Sequence, residues 1–203
     1  MGLLWAELES ALRDRPAVRI PDSRLKRAAV AVVLKESIRG PEILFIRRAE
    51  HPHDPWSGQI AFPGGRFERS DPDLRTTAVR ETGEELGLDL AGGAAYLGAL
   101  DEVQAMARMR PMKLAIAPFV FRLLADPPLR LSEEVTSAHW LPLEKLLSGQ
   151  HRGNLDYAYQ GQRLQFPCLR YEGVVIWGLT YRMFASLREA LAREEAPHDA
   201  APP

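Results

Sequence analysis

The chain has 203 residues, 46% of them hydrophobic, which is enough length and apolar content for one sizeable core. Its formal net charge of −1 argues against a nucleic acid partner, because proteins that bind a phosphate backbone usually carry a basic excess. The one cysteine, Cys168, excludes an intramolecular disulfide, and the longest apolar run, residues 28–34, is too short to span a bilayer.

The start of the chain shows no signal-peptide pattern, because Glu7 and Glu9 lie inside its apolar stretch. We therefore expect a cytoplasmic location and no membrane partner.

The apolar pattern predicts strands interleaved with helices. The predicted helices cover residues 3–13, 74–86 and 177–193, and a further helix starts at 142–144. The predicted strands cover residues 27–34, 42–47, 59–62, 94–100, 113–123 and 135–141, and a hairpin at 157–166 turns across Gln160-Gly161. This order predicts an α+β fold with a sheet covered on both faces. We divide the chain into an N-terminal helix and linker at 1–24, a main domain at 25–193 and a disordered tail at 194–203.

The helix predicted at 74–86 has clear start and stop signals. Asp71 and Asp73, on either side of Pro72, suit a capped start, and Gly87 suits a left-handed stop. Its apolar and small residues form one stripe at about 100° per residue. Among its acids, Glu85 lies at the edge of that stripe, while Glu81 and Glu84 lie progressively further round.

The crowding of Glu81, Glu84 and Glu85 is unfavourable for folding alone. Like charges three or four residues apart repel by about 0.2–0.5 kcal/mol, and anions near a helix C-terminus are disfavoured by a further ~0.3–1 kcal/mol. Partial burial adds to this. The alternative is a solvated acidic face with an Arg80–Glu84 pair, but Glu81 and Glu85 do not lie on the outer face. We favour a hard divalent cation, Mg²⁺ or Mn²⁺, held by carboxylate oxygens.

A Pro63-Gly64-Gly65 segment ends the predicted strand shortly before this helix. Glycines let the backbone approach a ligand closely, although such a segment on its own is an ordinary turn. Its position ahead of the acidic helix indicates that the two segments belong to one site.

Residues 65–88 resemble the Nudix box, the signature of hydrolases that act on a nucleoside diphosphate linked to another group. The matching positions are Gly65, Arg80, Glu81, Glu84, Glu85, Gly87 and Leu88. Asp71 takes the intermediate acid position, but eight residues rather than seven separate it from Arg80, and Thr82 replaces the usual aliphatic residue. The extra residue leaves the role of Asp71 open. The resemblance implies an α/β/α sandwich with a mixed central sheet, a Mg²⁺ or Mn²⁺ cofactor and often a homodimer.

Residues 46–49 and 58–65 resemble the upstream signature of the coenzyme A diphosphatases within that family, and residues 176–180 resemble their closing segment. The interval between the first two segments is one residue longer than in that signature, and His53 stands where the subgroup has Arg. The resemblance implies hydrolysis of coenzyme A or acyl-CoA to phosphopantetheine products and adenosine 3′,5′-bisphosphate. Hydrolysis of ADP-ribose, a dinucleotide or a nucleoside triphosphate stays open. A non-catalytic ligand sensor ranks last, because the box acids are all present.

The expected metal ligands are Glu81, Glu85 and Glu84, and the resemblance adds the backbone carbonyl of Gly65. A metal in this position would neutralise charge on the phosphoryl oxygens and lower the pKa of a bound water. Arg80 is expected to orient the carboxylates through Glu84. The general base stays open, and the candidates outside the box are Glu102, Glu133 and Glu134.

Substrate contacts are expected around the Gly-Gly turn, where arginines could bind phosphates in a bidentate manner. The candidates are Arg47, Arg48, Arg66, Arg69, Gly64 and Gly65, with a solvated surface charge as the alternative for each arginine. The loop at 51–56 is interpreted as a substrate lid with Trp56 as a stacking surface, and a zinc site at His51, His53 and Asp54 is disfavoured. Met106, Met109 and Met112 alternate with basic residues, including Arg108, in a predicted mobile loop or substrate-facing flap.

Overall fold

A computed structural model describes residues 5–13, 15–52, 54–107 and 110–194 of the chain. The helices are α1 (Trp5–Arg13), α2 (Leu74–Leu86), α3 (Leu90–Gly93), α4 (Leu143–Leu147) and α5 (Gly178–Glu194). The strands are β1 (Lys26–Lys35), β2 (Glu42–Arg48), β3 (Ile60–Ala61), β4 (Gly64–Arg66), β5 (Ala94–Ala99), β6 (Val103–Ala107), β7 (Arg110–Leu123), β8 (Val135–Pro142), β9 (Arg152–Tyr159), β10 (Gln162–Tyr171) and β11 (Val174–Trp177).

The central sheet is mixed, as the sequence predicted. Its path runs β3-β2-β1-β7-β5, and β4, β6 and β8 pair with β1, β7 and β2 respectively. Strands β1 and β7 are parallel, from Lys26 opposite Leu114 to Leu34 opposite Arg122, while the other pairings are antiparallel. The continuous apolar run of β1 is explained by this central position, because such a strand is buried on both faces.

Helices cover both faces of the central sheet. On one face, Ala78 and Leu86 of α2 pack in a cluster with alternate β1 residues such as Ala31. On the other face, Leu8 of α1 and Phe184 of α5 belong to a second buried cluster. This arrangement confirms the α+β class and the α/β/α sandwich.

A separate three-stranded sheet, in the order β11-β10-β9, lies beside α5. Strands β9 and β10 form the predicted hairpin, in which Gln160 and Gly161 both have positive φ, at 48° and 78°. Two adjacent residues with positive φ match the twist of a tight hairpin. Strand β11, which the sequence analysis missed, completes this sheet.

Two segments form strands where the sequence suggested a turn or a loop. Residues 64–66 form strand β4 against β1, and the backbone of Gly64 packs directly against Ala29. Met106 and Met112 lie on the paired strands β6 and β7 and not in a mobile loop, while a substrate-facing flap stays a prediction. The segment at 64–66 has no apolar alternation, and so short a strand has little local signal.

Several expectations fall on residues that are not described, including Leu3, His53, Arg108, Met109 and the tail at 195–203. The division into three segments stays a prediction. Among the described residues, no helix combines the length and the apolar content needed to cross a membrane.

Candidate active site

Helix α2 has the bounds and the caps that its sequence predicts. The Asp73 side chain accepts a hydrogen bond from the Thr76 backbone N–H at 2.7 Å, which satisfies one of the free donors at the helix start. Gly87 ends the helix with φ of 67°, and its N–H donates to the Gly83 carbonyl. The carboxylates of α2 are therefore held on a helix with two fixed ends.

The three box acids differ in burial in the order that helical geometry predicts. Glu85 is only 3% exposed, whereas the side chains of Glu81 and Glu84 are 18% and 59% exposed. Glu85 Oε2 accepts a hydrogen bond from the Gly64 backbone N–H at 2.8 Å. Two carboxylates one helical turn apart thus lie on the inner side of α2, with the third at its solvent edge.

Strand β4 needs its two glycines because it lies directly between α2 and β1. A side chain on Gly65 would overlap the Glu81 carboxylate. At Gly64, φ is 148° and a Cβ would overlap the Ala29 carbonyl oxygen. The close approach of backbone to carboxylates that the Pro-Gly-Gly segment suggested is therefore real.

Arg80 contacts Glu84, as its spacing suggested, but it also binds Asp71 through two hydrogen bonds. Arg80 Nε and Nη2 donate to Asp71 at 3.0 and 3.1 Å, while Nη1 reaches Glu84 at 3.0 Å and Glu81 at 3.1 Å. Its Nη2 also donates to the Arg66 carbonyl at 3.1 Å. One guanidinium thereby links the loop before α2, strand β4 and two of the box acids.

Asp71 is a structural anchor that the sequence analysis left without a role. Its carboxylate is buried and also accepts from the Thr77 hydroxyl and the Glu68 N–H. The bidentate contact with Arg80 lowers the pKa of Asp71 to about 2 and raises that of Arg80. The acid position of the box was the signal for this role, because the inserted residue leaves the contact between Asp71 and Arg80 intact.

A cleft of about 950 Å³ opens beside α2 and contains most of the predicted substrate contacts. Its walls include Gly64, Gly65, Arg48, Arg66, Trp56, Glu81, Glu84, Glu133 and Glu134. Residues 179, 180 and 183 of α5 also line it and were not predicted as site residues, although 179 and 180 belong to the segment at 176–180 that carries the family resemblance. The cleft thus has both acids and arginines in its lining.

Some predicted residues lie outside this cleft. Glu102 accepts from Arg27 at 2.6 Å and from the Ile20 N–H at 2.7 Å, so its carboxylate fastens the N-terminal segment and does not face the substrate space. Arg47 donates to the Gly58 carbonyl at 3.1 Å and is absent from the cleft walls, as is Arg69. Glu133 and Glu134 are left as the candidate bases outside the box that line the cleft.

Arg48 and the 51–56 loop are joined across the cleft. Arg48 donates to Asp54 Oδ2 at 2.8 Å in an ion pair that is mostly buried. Asp54 is therefore engaged with Arg48, and the zinc interpretation also involves His53, which lies outside the described residues. The loop borders the cleft through Trp56, as expected of a lid.

Burial perturbs the two inner acids. It raises the pKa of Glu85 to about 7, although the hydrogen bond from Gly64 opposes this shift. Burial also raises the pKa of Glu81, and Arg80 opposes that shift. Both carboxylates would be stabilised by a cation, and oxygen donors of this kind suit Mg²⁺ or Mn²⁺.

The fit to a metal is partial in the described part of the chain. Among those residues, no group of three or more His, Cys, Asp and Glu side chains is already gathered for coordination. Glu84 points to Arg80 at 3.0 Å and would have to leave it to join Glu81 and Glu85. Glu81 also contacts Arg80, at 3.1 Å, so both Glu81 and Glu84 would have to turn from the guanidinium toward a cation, whereas Glu85 is held by the Gly64 N–H.

The raised pKa of Glu85 predicts how the metal-free protein responds to pH. The pKa rises from an ordinary value of 4.5 to about 7, so the folded protein holds this proton more tightly than the unfolded chain does. The associated stability is complete below pH 4.5 and is lost as pH rises through about 7. In EDTA, the melting temperature of the parent protein should fall over this pH interval relative to that of Glu85→Gln. Without EDTA, the affinity of the parent protein for Mg²⁺ should rise over the same interval.

Thermal unfolding of both proteins at several pH values would measure this difference. Calorimetric titration with Mg²⁺ in buffers of different ionisation enthalpy would count the protons released. Parallel melting curves for the two proteins, with no proton release, would contradict the assignment.

The comparisons with known proteins agree with this geometry. The family model described as NUDIX domain matches residues 24–162. Human mitochondrial coenzyme A diphosphatase NUDT8 is 33% identical over 184 residues, which cover 85% of this chain and 74% of that protein. An uncharacterized protein of Schizosaccharomyces pombe is 39% identical over 146 residues, covering 63% of this chain and 44% of that protein, so the chain spans less than half of that relative.

Solved structures support the fold. A MutT/nudix family protein from Enterococcus faecalis matches with a TM-score of 0.53 and 16% identity, over 95% of this chain and 75% of that one. At this identity the likeness concerns the fold alone. It agrees with the sandwich described above.

Proposed function

This chain belongs to the Nudix family of hydrolases, and from that premise we propose that it hydrolyses the diphosphate linkage of coenzyme A or an acyl-CoA. The products would be phosphopantetheine or its acyl derivative and adenosine 3′,5′-bisphosphate. The observation that carries the proposal is the pair of inner carboxylates: Glu81 lines the cleft that also contains Arg48 and Arg66, and Glu85 lies buried one helical turn further along α2. The similarity to a coenzyme A diphosphatase supports this choice of substrate.

In the proposed reaction, Glu81 and Glu85, joined by Glu84 and the Gly65 carbonyl, would hold Mg²⁺ or Mn²⁺. The metal would supply charge neutralisation at the phosphoryl oxygens and a more acidic water. Arg48 and Arg66 bind the phosphates. Arg80, which is held by Asp71, fastens α2 to β4 through the Arg66 carbonyl. Glu133 or Glu134 accepts the proton of the attacking water, because both border the cleft.

Arg48 must exchange partners for this role. Its guanidinium is bonded to Asp54, so an incoming phosphate would replace one carboxylate contact with another anionic contact. The lid loop carrying Asp54 would then be released from Arg48. Phosphate binding and loop position are thereby coupled in the proposed mechanism.

Hydrolysis of coenzyme A in water labelled with heavy oxygen tests the proposal. With Mg²⁺, we expect adenosine 3′,5′-bisphosphate and 4′-phosphopantetheine, one of them carrying a single heavy oxygen that identifies the attacked phosphorus. ADP-ribose, a diadenosine polyphosphate and a nucleoside triphosphate serve as competing substrates. Rapid turnover of any of these without hydrolysis of coenzyme A would reassign the substrate, and binding without turnover of all of them would favour a ligand sensor.

A cytoplasmic location and a homodimer both stay predictions. The human relative is named a mitochondrial enzyme, so cell fractionation is the direct test of the first. Analytical ultracentrifugation would test the second.

A further inference from the structure

A second cavity, of about 210 Å³, lies next to the catalytic cleft and is lined mainly by aromatic and aliphatic side chains. We call it the aromatic pocket, and its walls comprise Pro55, Trp56, Gln59, Met106, Ala107, Tyr157, Phe166, Pro167, Trp177, Gly178, Leu179, Tyr181 and Arg182. It contains none of the acids assigned to the metal. Its chemistry therefore suits an apolar group and not the diphosphate.

Three rings from the three-stranded sheet form the floor of the aromatic pocket. Tyr157 lies 5.4 Å from Trp177 and 5.9 Å from Phe166, and Phe166 lies 5.9 Å from Trp177, measured between ring centroids. The rings are tilted or edge-on to one another and each is partly buried. They contact one another directly, so a nucleobase has no slot between two parallel rings, whereas a flexible chain can lie across them.

The aromatic pocket and the cleft share a wall. Pro55, Trp56, Gln59 and Leu179 line both spaces. Trp56 Nε1 donates to the Met106 carbonyl at 3.3 Å, which ties the lid loop to β6. A ligand bound in the cleft can therefore extend into the pocket past Trp56 without crossing a layer of secondary structure.

The start of α5 keeps the pocket open. The Thr180 hydroxyl donates to the Ile60 carbonyl at 2.9 Å and is buried, which fixes the first turn of α5 against β3. Gly178, the first residue of α5, has φ of 61°, and a Cβ there would meet no atom within 4 Å. The helix thus begins at an empty space and does not fill it.

We propose that the aromatic pocket binds the acyl group at the far end of the substrate, so that acyl thioesters with several methylenes are hydrolysed in preference to the free thiol. This inference rests on the proposed function and specifies its substrate class. An apolar chain is the occupant that the lining favours, because it buries methylene groups against the rings and needs no hydrogen-bond partner. Because the pocket and the cleft share a wall, one substrate molecule could place its acyl chain in the pocket and its diphosphate in the cleft.

A series of acyl-CoA substrates tests the proposal. Each buried methylene is worth about 0.8 kcal/mol, or roughly fourfold in affinity. Partial exposure lowers this factor, so we expect kcat/KM to rise by about tenfold or more from acetyl-CoA to octanoyl-CoA. Equal kcat/KM values for coenzyme A, acetyl-CoA and octanoyl-CoA would overturn the inference.

A matched pair of variants locates the effect. Phe166→Ala removes a ring from the pocket floor and should reduce the octanoyl-to-acetyl ratio of kcat/KM at least about threefold. Phe119→Ala removes a partly buried ring from β7, outside both the pocket and the cleft, and should leave that ratio unchanged. An unchanged ratio in Phe166→Ala, with a normal melting temperature, would contradict the assignment.

A binding measurement keeps this inference separate from the catalytic proposal. In EDTA, octanoyl-CoA should change the fluorescence of Trp56 and Trp177 and bind more tightly than acetyl-CoA, and Trp177→Phe should reduce the signal. If binding follows this order but no hydrolysis occurs with Mg²⁺, the catalytic proposal fails while the pocket assignment stands. If coenzyme A is hydrolysed but chain length has no effect on binding or turnover, only the pocket assignment fails.

Discussion

Glu85→Gln is expected to lower kcat/KM for the diphosphate substrate by about 10³-fold or more, because it removes a charged oxygen from the site where transition-state charge is neutralised. The amide oxygen can still accept from the Gly64 N–H, so the local fold should persist. In metal-free buffer the variant should be at least as stable as the parent, since a buried carboxylate is replaced by a neutral group. Steady-state kinetics and thermal unfolding measure the two effects.

Glu189→Gln is the control, because Glu189 is an exposed acid on α5 away from the cleft. It should retain the activity and the Mg²⁺-dependent rise in melting temperature of the parent, and Glu85→Gln should lose both. If Glu85→Gln kept more than about a tenth of the activity, the buried acid would not be a metal ligand. Applying the same assay to Glu81→Gln and Glu84→Gln would rank the three acids.

Asp71→Asn is expected to reduce the free energy of unfolding by about 3 kcal/mol, because removal of one partner from a buried ion pair leaves the other uncompensated. Arg80 would lose its bidentate partner while keeping its contacts to Glu81 and Glu84. Activity should fall about 10- to 100-fold, the range typical of residues that orient metal ligands. Urea unfolding and kcat/KM are the measurements.

Acid unfolding gives an independent signature of the same pair. Contact with Arg80 lowers the pKa of Asp71 from an ordinary value of 3.8 to about 2. Its stabilising contribution is therefore complete above pH 3.8 and is lost as pH falls through about 2, so Asp71→Asn should flatten that part of the curve. Asp73→Asn is the matched control, since asparagine caps a helix as well as aspartate does. Equal losses in both variants would contradict a special role for Asp71.

The catalytic helix could be predicted from sequence because its signals are local. Asp73 and Gly87 mark its ends, and the helical period alone orders Glu85, Glu81 and Glu84 by burial. The strand order was not predictable in the same way, because the pairing of β1 with β7 joins residues about ninety positions apart. The order of the elements predicted a sheet covered on both faces, the family resemblance specified the α/β/α sandwich, and the structure confirmed it.

The parts of the site that sequence reasoning missed depend on contacts between distant segments. Arg80 was expected to pair with Glu84, four residues away, and its stronger contact with Asp71 crosses an irregular loop. Glu102 was a candidate base by sequence, but its carboxylate accepts hydrogen bonds from Arg27 and from the N-terminal segment. Ion-pair partners of this kind follow from the fold and not from spacing along the chain.

The two sheets carry the residues proposed to bind different parts of the substrate. In the proposed reaction, the carboxylates that would hold the metal belong to a helix on the eight-stranded sheet, whereas the rings of the aromatic pocket belong to the three-stranded one. Mutations in the hairpin of the smaller sheet can therefore change which tail is accepted while the reactive centre stays intact. Selectivity and reactivity are free to evolve at different rates in such a molecule, and a redesign of its substrate specificity would begin at Tyr157 and Phe166.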